Sequence, residues 1–186
     1  QLGNGLDDAK HYADALCVRE ADLAMMRRLG ASEEDMLVVQ GNIANSYHML
    51  GRLEEALQMR RDVYSGRLKL NGEENERTLR AANNLAASLK DGSRFDEAKS
   101  LLRKTIPVAQ RILGESDQIT RTMRKCVAEA LYKDDDATLD DLREAVTTLE
   151  DTDRIAQRVL GGAHPFTEGV VRSLRIARAA LRARET

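Results

Sequence analysis

The chain has 186 residues, 42% hydrophobic and 32% charged, with a formal charge of -2. Balanced charge excludes the basic excess of a nucleic-acid-binding domain, and no apolar run approaches the length of a membrane span. Aromatics are 3%, with no Trp and two Phe, so the core must come from Leu, Ala, Val, Ile and Met, a composition that favours helix.

Runs that alternate every two residues are missing, so no strand is expected. Cys17 and Cys126 are far apart and make no disulfide framework. A reducing, intracellular (cytoplasmic) location is the plain reading. The sequence opens on Gln1 and reads as a fragment or a processed product, so targeting signals can lie outside it.

Taken in chain order, the first unit covers about 1–30. It supplies one helix up to Arg28, closed by Leu29-Gly30, and lacks a leading helix. A truncation inside a repeat would leave an apolar groove uncovered there. The second unit, 31–72, has a first helix containing Asn42-Ile43-Ala44-Asn45-Ser46-Tyr47. Glu54-Glu55-Ala56 then opens a second helix, which ends at Leu70-Asn71-Gly72. The third, 73–114, repeats the plan. Leu79, Ala82, Leu85, Ala86 and Leu89 share one helical face. The turn Asp91-Gly92-Ser93-Arg94 interrupts the chain, and Phe95, Ala98, Leu101, Leu102, Ile106 and Ala109 form the next stripe. Pro107 falls inside that helix, where proline removes a hydrogen bond and clashes with the preceding turn. A kink or local break is predicted between Arg103 and Pro107. The fourth unit, 115–161, carries a degenerate first helix around Cys126-Val127-Ala128, then Lys133-Asp134-Asp135-Asp136-Ala137-Thr138, read as a longer acidic loop. A capping helix at 165–184 closes the series, with Arg172, Arg175, Arg178, Arg182 and Arg184 on it.

The markers share one period. The glycines of the Leu-Gly and Leu-Asn-Gly steps are 42 residues apart from Gly30 to Gly72 and from Gly72 to Gly114, then 47 apart to Gly161. Tyr47, Leu89 and Leu131 keep the step of 42. Small residues such as Ala44, Ala86, Ala98 and Ala128 recur at matched places, as close helix pairing requires. Each closing glycine is free to take a left-handed cap. One hairpin cannot bury its own apolar stripe, so neighbours must stack. The expected fold is all-α, a right-handed α-solenoid of about four antiparallel helix hairpins forming a single domain over 1–186.

These residues resemble the tetratricopeptide repeats of kinesin light chains. That family's pattern runs Asn-Asn-Leu-Ala, a turn, Glu-Ala, Leu-Gly, then His-Pro and Thr. Here it reads Asn83-Asn84-Leu85-Ala86, Phe95-Asp96-Glu97-Ala98 and Leu113-Gly114, with His164-Pro165 and Thr167 after Leu160-Gly161. The resemblance covers nearly the whole chain. The other linkers depart from His-Pro, reading Ser32-Glu33-Glu34-Asp35, Glu73-Glu74-Asn75-Glu76 and Glu115-Ser116-Asp117-Gln118. No heptad region for pairing with a heavy chain is present.

The resemblance implies that first helices line a concave groove in which partners lie. Carried over, the groove residues are Val38, Gly41, Asn45 and His48, with Asn42 beside them. Arg80, Asn83, Ala87 and Lys90 follow, with Asn84 beside them, and then Thr122, Lys125, Glu129 and Tyr132. Asn both donates and accepts and can clamp an extended peptide backbone. Arg80, Lys90 and Lys125 suit an acidic segment or a C-terminal carboxylate. The plainer reading makes Asn a fixer of hairpin geometry and the cations solvated.

Other chemistry is thin. His11, His48 and His164 show no metal-ligand spacing, and His164 reads as part of a turn. Cys17 reads as core and Cys126 as a buried small residue. Met25, Met26, Met36 and Met49 read as gap-fillers. No carboxylate pair sits in a desolvated pocket. The chain therefore reads as a non-enzyme without cofactor or metal. It would be an adaptor-like scaffold for a partner protein or peptide, without nucleic acid or membrane insertion. The alternative is a structural subunit held in a larger complex by its edges and outer face.

Overall fold

The computed structural model describes residues 2–185, with side chains from residue 11 onward. Among the described residues there are eight helices and no strand: α1 (Leu2–Leu29), α2 (Glu33–Met49), α3 (Leu53–Asn71), α4 (Glu76–Asp91), α5 (Phe95–Leu113), α6 (Gln118–Lys133), α7 (Leu139–Leu160) and α8 (Pro165–Glu185). They fall into two compact units that divide between Gly72 and Glu73, at a repeat boundary. α2, α4, α6 and α8 are first-type helices; α1, α3, α5 and α7 are second-type.

The helix starts are set by side chains that accept otherwise orphaned backbone N–H groups. Ser32 accepts from Asp35 N at 3.1 Å, Asn75 from Arg77 N at 2.8 Å, and Asp117 from Ile119 N at 2.7 Å. His164 Nδ1 accepts from Phe166 N at 3.1 Å, which gives the His-Pro pair a capping role with Pro165 at the first helical position. The linkers that depart from His-Pro thus keep its function with other acceptors. At the far ends Gly72, Gly114 and Gly161 take φ of 78°, 88° and 84° with ψ of 174°, 162° and 159°. These pair positive φ with extended ψ, a region that essentially only glycine enters.

In unit 1, α2 is packed between α1 and α3. Leu16 and Leu23 of α1 bury against Ile43 of α2, with Met36, Val39, Tyr47, Leu50 and Met59 around them. Cys17 faces solvent instead of the core, because the helical turn places it beside Leu16 on the outward side. Met25 and Met49 are likewise exposed, at 58% and 55%, and fill no gap. Met26 and Met36 are half-buried.

In unit 2, α4, α6 and α8 form one layer, with α5 and α7 packed on α6 from the other side. Leu79, Ala82, Leu85, Ala86 and Leu89 are all buried, as the α4 stripe predicts. Ala86, Ala98, Ala128 and Ala145 are fully enclosed; their small side chains let the helices close together.

Two expectations change. α5 runs unbroken from Phe95 to Leu113 with Pro107 inside it, so the predicted break is absent. Pro107 sits on the exposed side while Leu102, Thr105 and Ala109 are buried. The helix keeps its course because the buried stripe of Leu102, Thr105 and Ala109 holds it. The acidic insertion is a five-residue connection, Asp134 to Thr138, against three residues in each of the other two hairpins. The remaining three of its five extra residues lengthen α7, which has 22 residues against 19 in α3 and α5. The loop is tied down. Lys99 Nζ donates to Asp134 at 2.8 Å, Ala137 is buried, and Thr138 and Asp141 form a reciprocal cap at the start of α7.

Candidate interaction surface

The expected partner-facing residues sit on the first-type helices, and each unit presents its own set. On α2, Val38, Gly41, Asn42, Asn45 and His48 recur at helical spacing along one side. Val38 is 50% exposed, and Asn42 and Asn45 are exposed while His48 is half-buried. Asn45 accepts a bond from Arg60 Nη2 of α3 at 3.2 Å, so its amide braces the hairpin as well as facing outward. The start of α2 is fixed by Arg67, a buried guanidinium that meets Glu34 at 2.6 Å.

On α4, Arg80 is exposed and pairs with Glu76 at 2.7 Å. Asn84 is exposed and Asn83 half-buried, with the Asn83 Oδ1 enclosed and without a hydrogen-bond partner. Lys90, two turns beyond Asn83, turns inward, with its side chain 16% exposed.

The α6 set is mostly enclosed. Glu129 is 9% exposed. It accepts from Lys90 Nζ of α4 at 2.7 Å and from Ser173 Oγ of α8 at 2.9 Å, with Lys125 Nζ 3.5 Å away. One carboxylate therefore joins three first-type helices. Burial pushes the Glu129 carboxyl up, but its bonds to Lys90 and Ser173 and the two lysine charges outweigh it, so the group lies below its ordinary value. Burial likewise pushes Lys90 down, and the Glu129 bond and charge bring it to a net rise. Tyr132 is buried at 9% exposure, and loss of solvent raises its phenol. Thr122 donates back to Gln118 O at 2.7 Å.

Lys125 also lies 5.9 Å from the centre of the Phe166 ring, which Arg121 approaches from 5.2 Å. Cys126 is buried among these groups, and desolvation pushes its thiol up to about 12, the direction expected of a core cysteine. Arg121, Phe166 and Ser173 escaped the sequence reading. Only the matched spacing of α6 and α8 hinted at them, since each partner lies some forty residues from the group it meets.

Each of the three cations predicted for an acidic partner, Arg80, Lys90 and Lys125, thus has a carboxylate of its own chain within 3.5 Å. Among the described residues no cluster of His, Cys, Asp and Glu could hold a metal ion, and no helix is long and apolar enough to cross a membrane.

Comparison with known proteins agrees with this architecture. Residues 35–111 match the tetratricopeptide repeat model. No curated protein matches the chain significantly. Two crystal structures from Podosopora anserina, described as a kinesin light chain with nearly identical TPR-like repeats, one of them a point variant, superpose with TM-scores of 0.78 and 0.76. Each is 21% identical and covers 99% of this chain and 88% of its own. BtubC (BKLC) from P. vanneervenii superposes at 0.70, with 17% identity over 93% of this chain and 71% of its own. Residues 35–111 thus match the tetratricopeptide repeat model, within an all-α fold similar to the solenoids of kinesin light chain repeat structures.

Proposed function

We propose that the chain is a non-catalytic, adaptor-like scaffold whose partner protein or peptide docks on the first-type helices. The observation that carries this reading is the division of labour on α2 and α4. Their stripes of Leu, Ile and Ala are buried, while Val38, Asn42, Arg80 and Asn84 stand exposed along the other side. Exposed amides can match a peptide backbone in both directions. Asn45, Asn83 and His48 extend the set. In unit 2, Lys90 of α4 and Thr122, Lys125, Glu129 and Tyr132 of α6 complete the set. Preference for an acidic segment rests on Arg80 alone among the solvent-facing cations of the set.

A pull-down with the intact chain and an Arg80→Glu/Asn84→Ala variant tests this. Partner recovery should fall at least fivefold with the helical circular dichroism unchanged. Equal recovery would remove the first-helix surface from consideration.

A second reading, a subunit held permanently in a larger assembly, is favoured by α1. Val18, Met25 and Leu29 are exposed at 61%, 58% and 77% and fall seven and eleven residues apart, on one side of the helix. Apolar exposure of this kind marks interaction edges. Under that reading a Val18→Ser/Met25→Ser/Leu29→Ser variant, and not the α4 variant, abolishes co-purification.

A further inference from the structure

We propose that unit 2 has a second binding site, a trough between α5 and α7 that takes an extended acidic segment of a partner protein. These two helices pack on α6 but not on each other. They are bridged across the gap by Arg103 and Glu144 at 2.7 Å. The gap holds a cavity of about 250 Å³ lined from α5, α6 and α7, and a second of about 450 Å³ continues from it along α6 and α7 beside Glu115, with Arg124 of α6 lining both.

The charge in this trough is unbalanced. Arg124 has a side chain only 12% exposed, and the contact it makes is one Asp151 oxygen at 3.4 Å. A guanidinium carries five N–H donors in a planar fork, so a single long contact leaves most of them to solvent in the cavity. Asp151 is itself claimed more closely by Arg154. Arg158, on the next turn, has no ion-pair partner among the described residues and lines the same cavity. Three guanidiniums thus face Asp151 and Glu115. A carboxylate laid between Arg124 and Arg158 would take up guanidinium donors that neither native acid occupies.

The adjoining cavity suits the rest of an extended chain. Ile106, Pro107 and Val127 give it an apolar wall. Pro107 has no N–H, so the Arg103 carbonyl lacks its usual helical donor, and both residues line this cavity. The repeat provides an internal control. Unit 1 has a trough of about 480 Å³ at the matched place, whose charges balance, Arg27 and Lys69 against Glu33 and Asp62, with Gln40 and Ser65 between them. Gln40 occupies the position of Arg124, and Ser65 that of Arg154. The shape belongs to the repeat; the excess of guanidinium belongs to unit 2.

The test uses fluorescence anisotropy with the full chain and a fluorescein-labelled hexapeptide of alternating Leu and Glu. Its Leu/Gln counterpart and inorganic phosphate serve as competitors. Saturable binding of the Glu peptide is expected. Arg124→Gln/Arg154→Ser, which installs the unit 1 residues, should weaken it at least tenfold. The exposed pair Arg154→Ser/Arg158→Ala should weaken it at least fivefold without risk to the core. Arg80→Glu, on the first-helix surface, should leave it within twofold, which separates this site from the one proposed above. Four results would each overturn the assignment: no saturable binding, equal binding by both trough variants, a comparable loss with Arg80→Glu, or displacement by phosphate as effective as by free Glu peptide.

Discussion

α2 and α6 occupy the same place in the second and fourth repeats, yet their surroundings differ. α2 buries Leu37, Ile43, Ala44 and Ser46 and leaves Val38, Asn42 and Asn45 exposed. α6 buries eleven of its sixteen residues, among them Arg121 and Glu129. Within their units, α2 is packed by α1 and α3, whereas α6 is packed by α4, α5, α7 and α8. The side of a first-type helix that is open in α2 is taken up inside unit 2 by the Lys90–Glu129–Ser173 link. Equivalent positions of a repeat therefore need not share a role: what serves as surface on one helix serves as structure on another.

The largest expected effect breaks that link. Glu129→Ala leaves Lys90, only 16% exposed at its side chain, without its main counter-ion. Removing one member of a buried pair costs about 3 kcal/mol. In unit 1 the matching test, Glu20→Ala, removes the exposed bond from Tyr47 and costs less than about 1 kcal/mol. Urea denaturation followed by circular dichroism measures both. Equal losses would erase the contrast between the units.

Acid should act in the same direction. The folded-state carboxyl of Glu129 lies below its ordinary value of 4.5. Its contribution is complete well above that value and is lost as pH falls through the lower folded value. The wild-type urea midpoint should therefore decline between roughly pH 5 and pH 3 more steeply than that of Glu129→Gln. Parallel curves would show that the carboxylate contributes nothing.

Packing tightness separates two glycines in helix interiors. A methyl at Gly66 of α3 would lie 2.6 Å from a Leu37 side-chain carbon, and Leu37 is buried. Gly66→Ala should cost about 1 kcal/mol net, since overpacking exceeds the gain in helix propensity. A methyl at Gly169 of α8 would meet only the tip of Lys125, at 3.2 Å, and that tip can move. Gly169→Ala should gain about 0.5 kcal/mol from propensity. Melting temperatures of the two variants should move in opposite senses; a shared sign would refute the packing contrast.

The smallest effect concerns the hairpin turns. Gly51 has a φ of 73°, and at the matched place Ser93 has a φ of 57°, a left-handed geometry that a side chain disfavours. Ser93→Gly should gain about 0.5 kcal/mol, strain relief being partly offset by glycine's extra freedom when unfolded. Gly51→Ser should lose a similar amount, read in the same urea titration.

Much of this was legible in the sequence, for local reasons. The Leu-Gly steps place the helix ends because the backbone there needs positive φ. The α4 stripe places the core because helical periodicity aligns it. Charged positions on α6 were harder to place. By periodicity Glu129 belongs to the open side of its helix, and its burial comes from Lys90 and Ser173, 39 and 44 residues away. Pro107 misled for a related reason: its effect depends on which side of α5 faces solvent. The insertion near Asp134 was located correctly, but sequence does not say how its residues divide between loop and helix. Cys17 was expected in the core, but the buried residue at that turn is its neighbour Leu16.

Hydrogen–deuterium exchange resolved by helix tests the central contrast most directly. Among residues shielded by their neighbours on every side, opening requires the whole unit to come apart. The amides in the middle of α6 should exchange at least tenfold more slowly than those in the middle of α2, and Glu129→Ala should remove most of that difference. Equal protection of α2 and α6 in the wild-type chain, or no change in α6 on removing Glu129, would contradict the account.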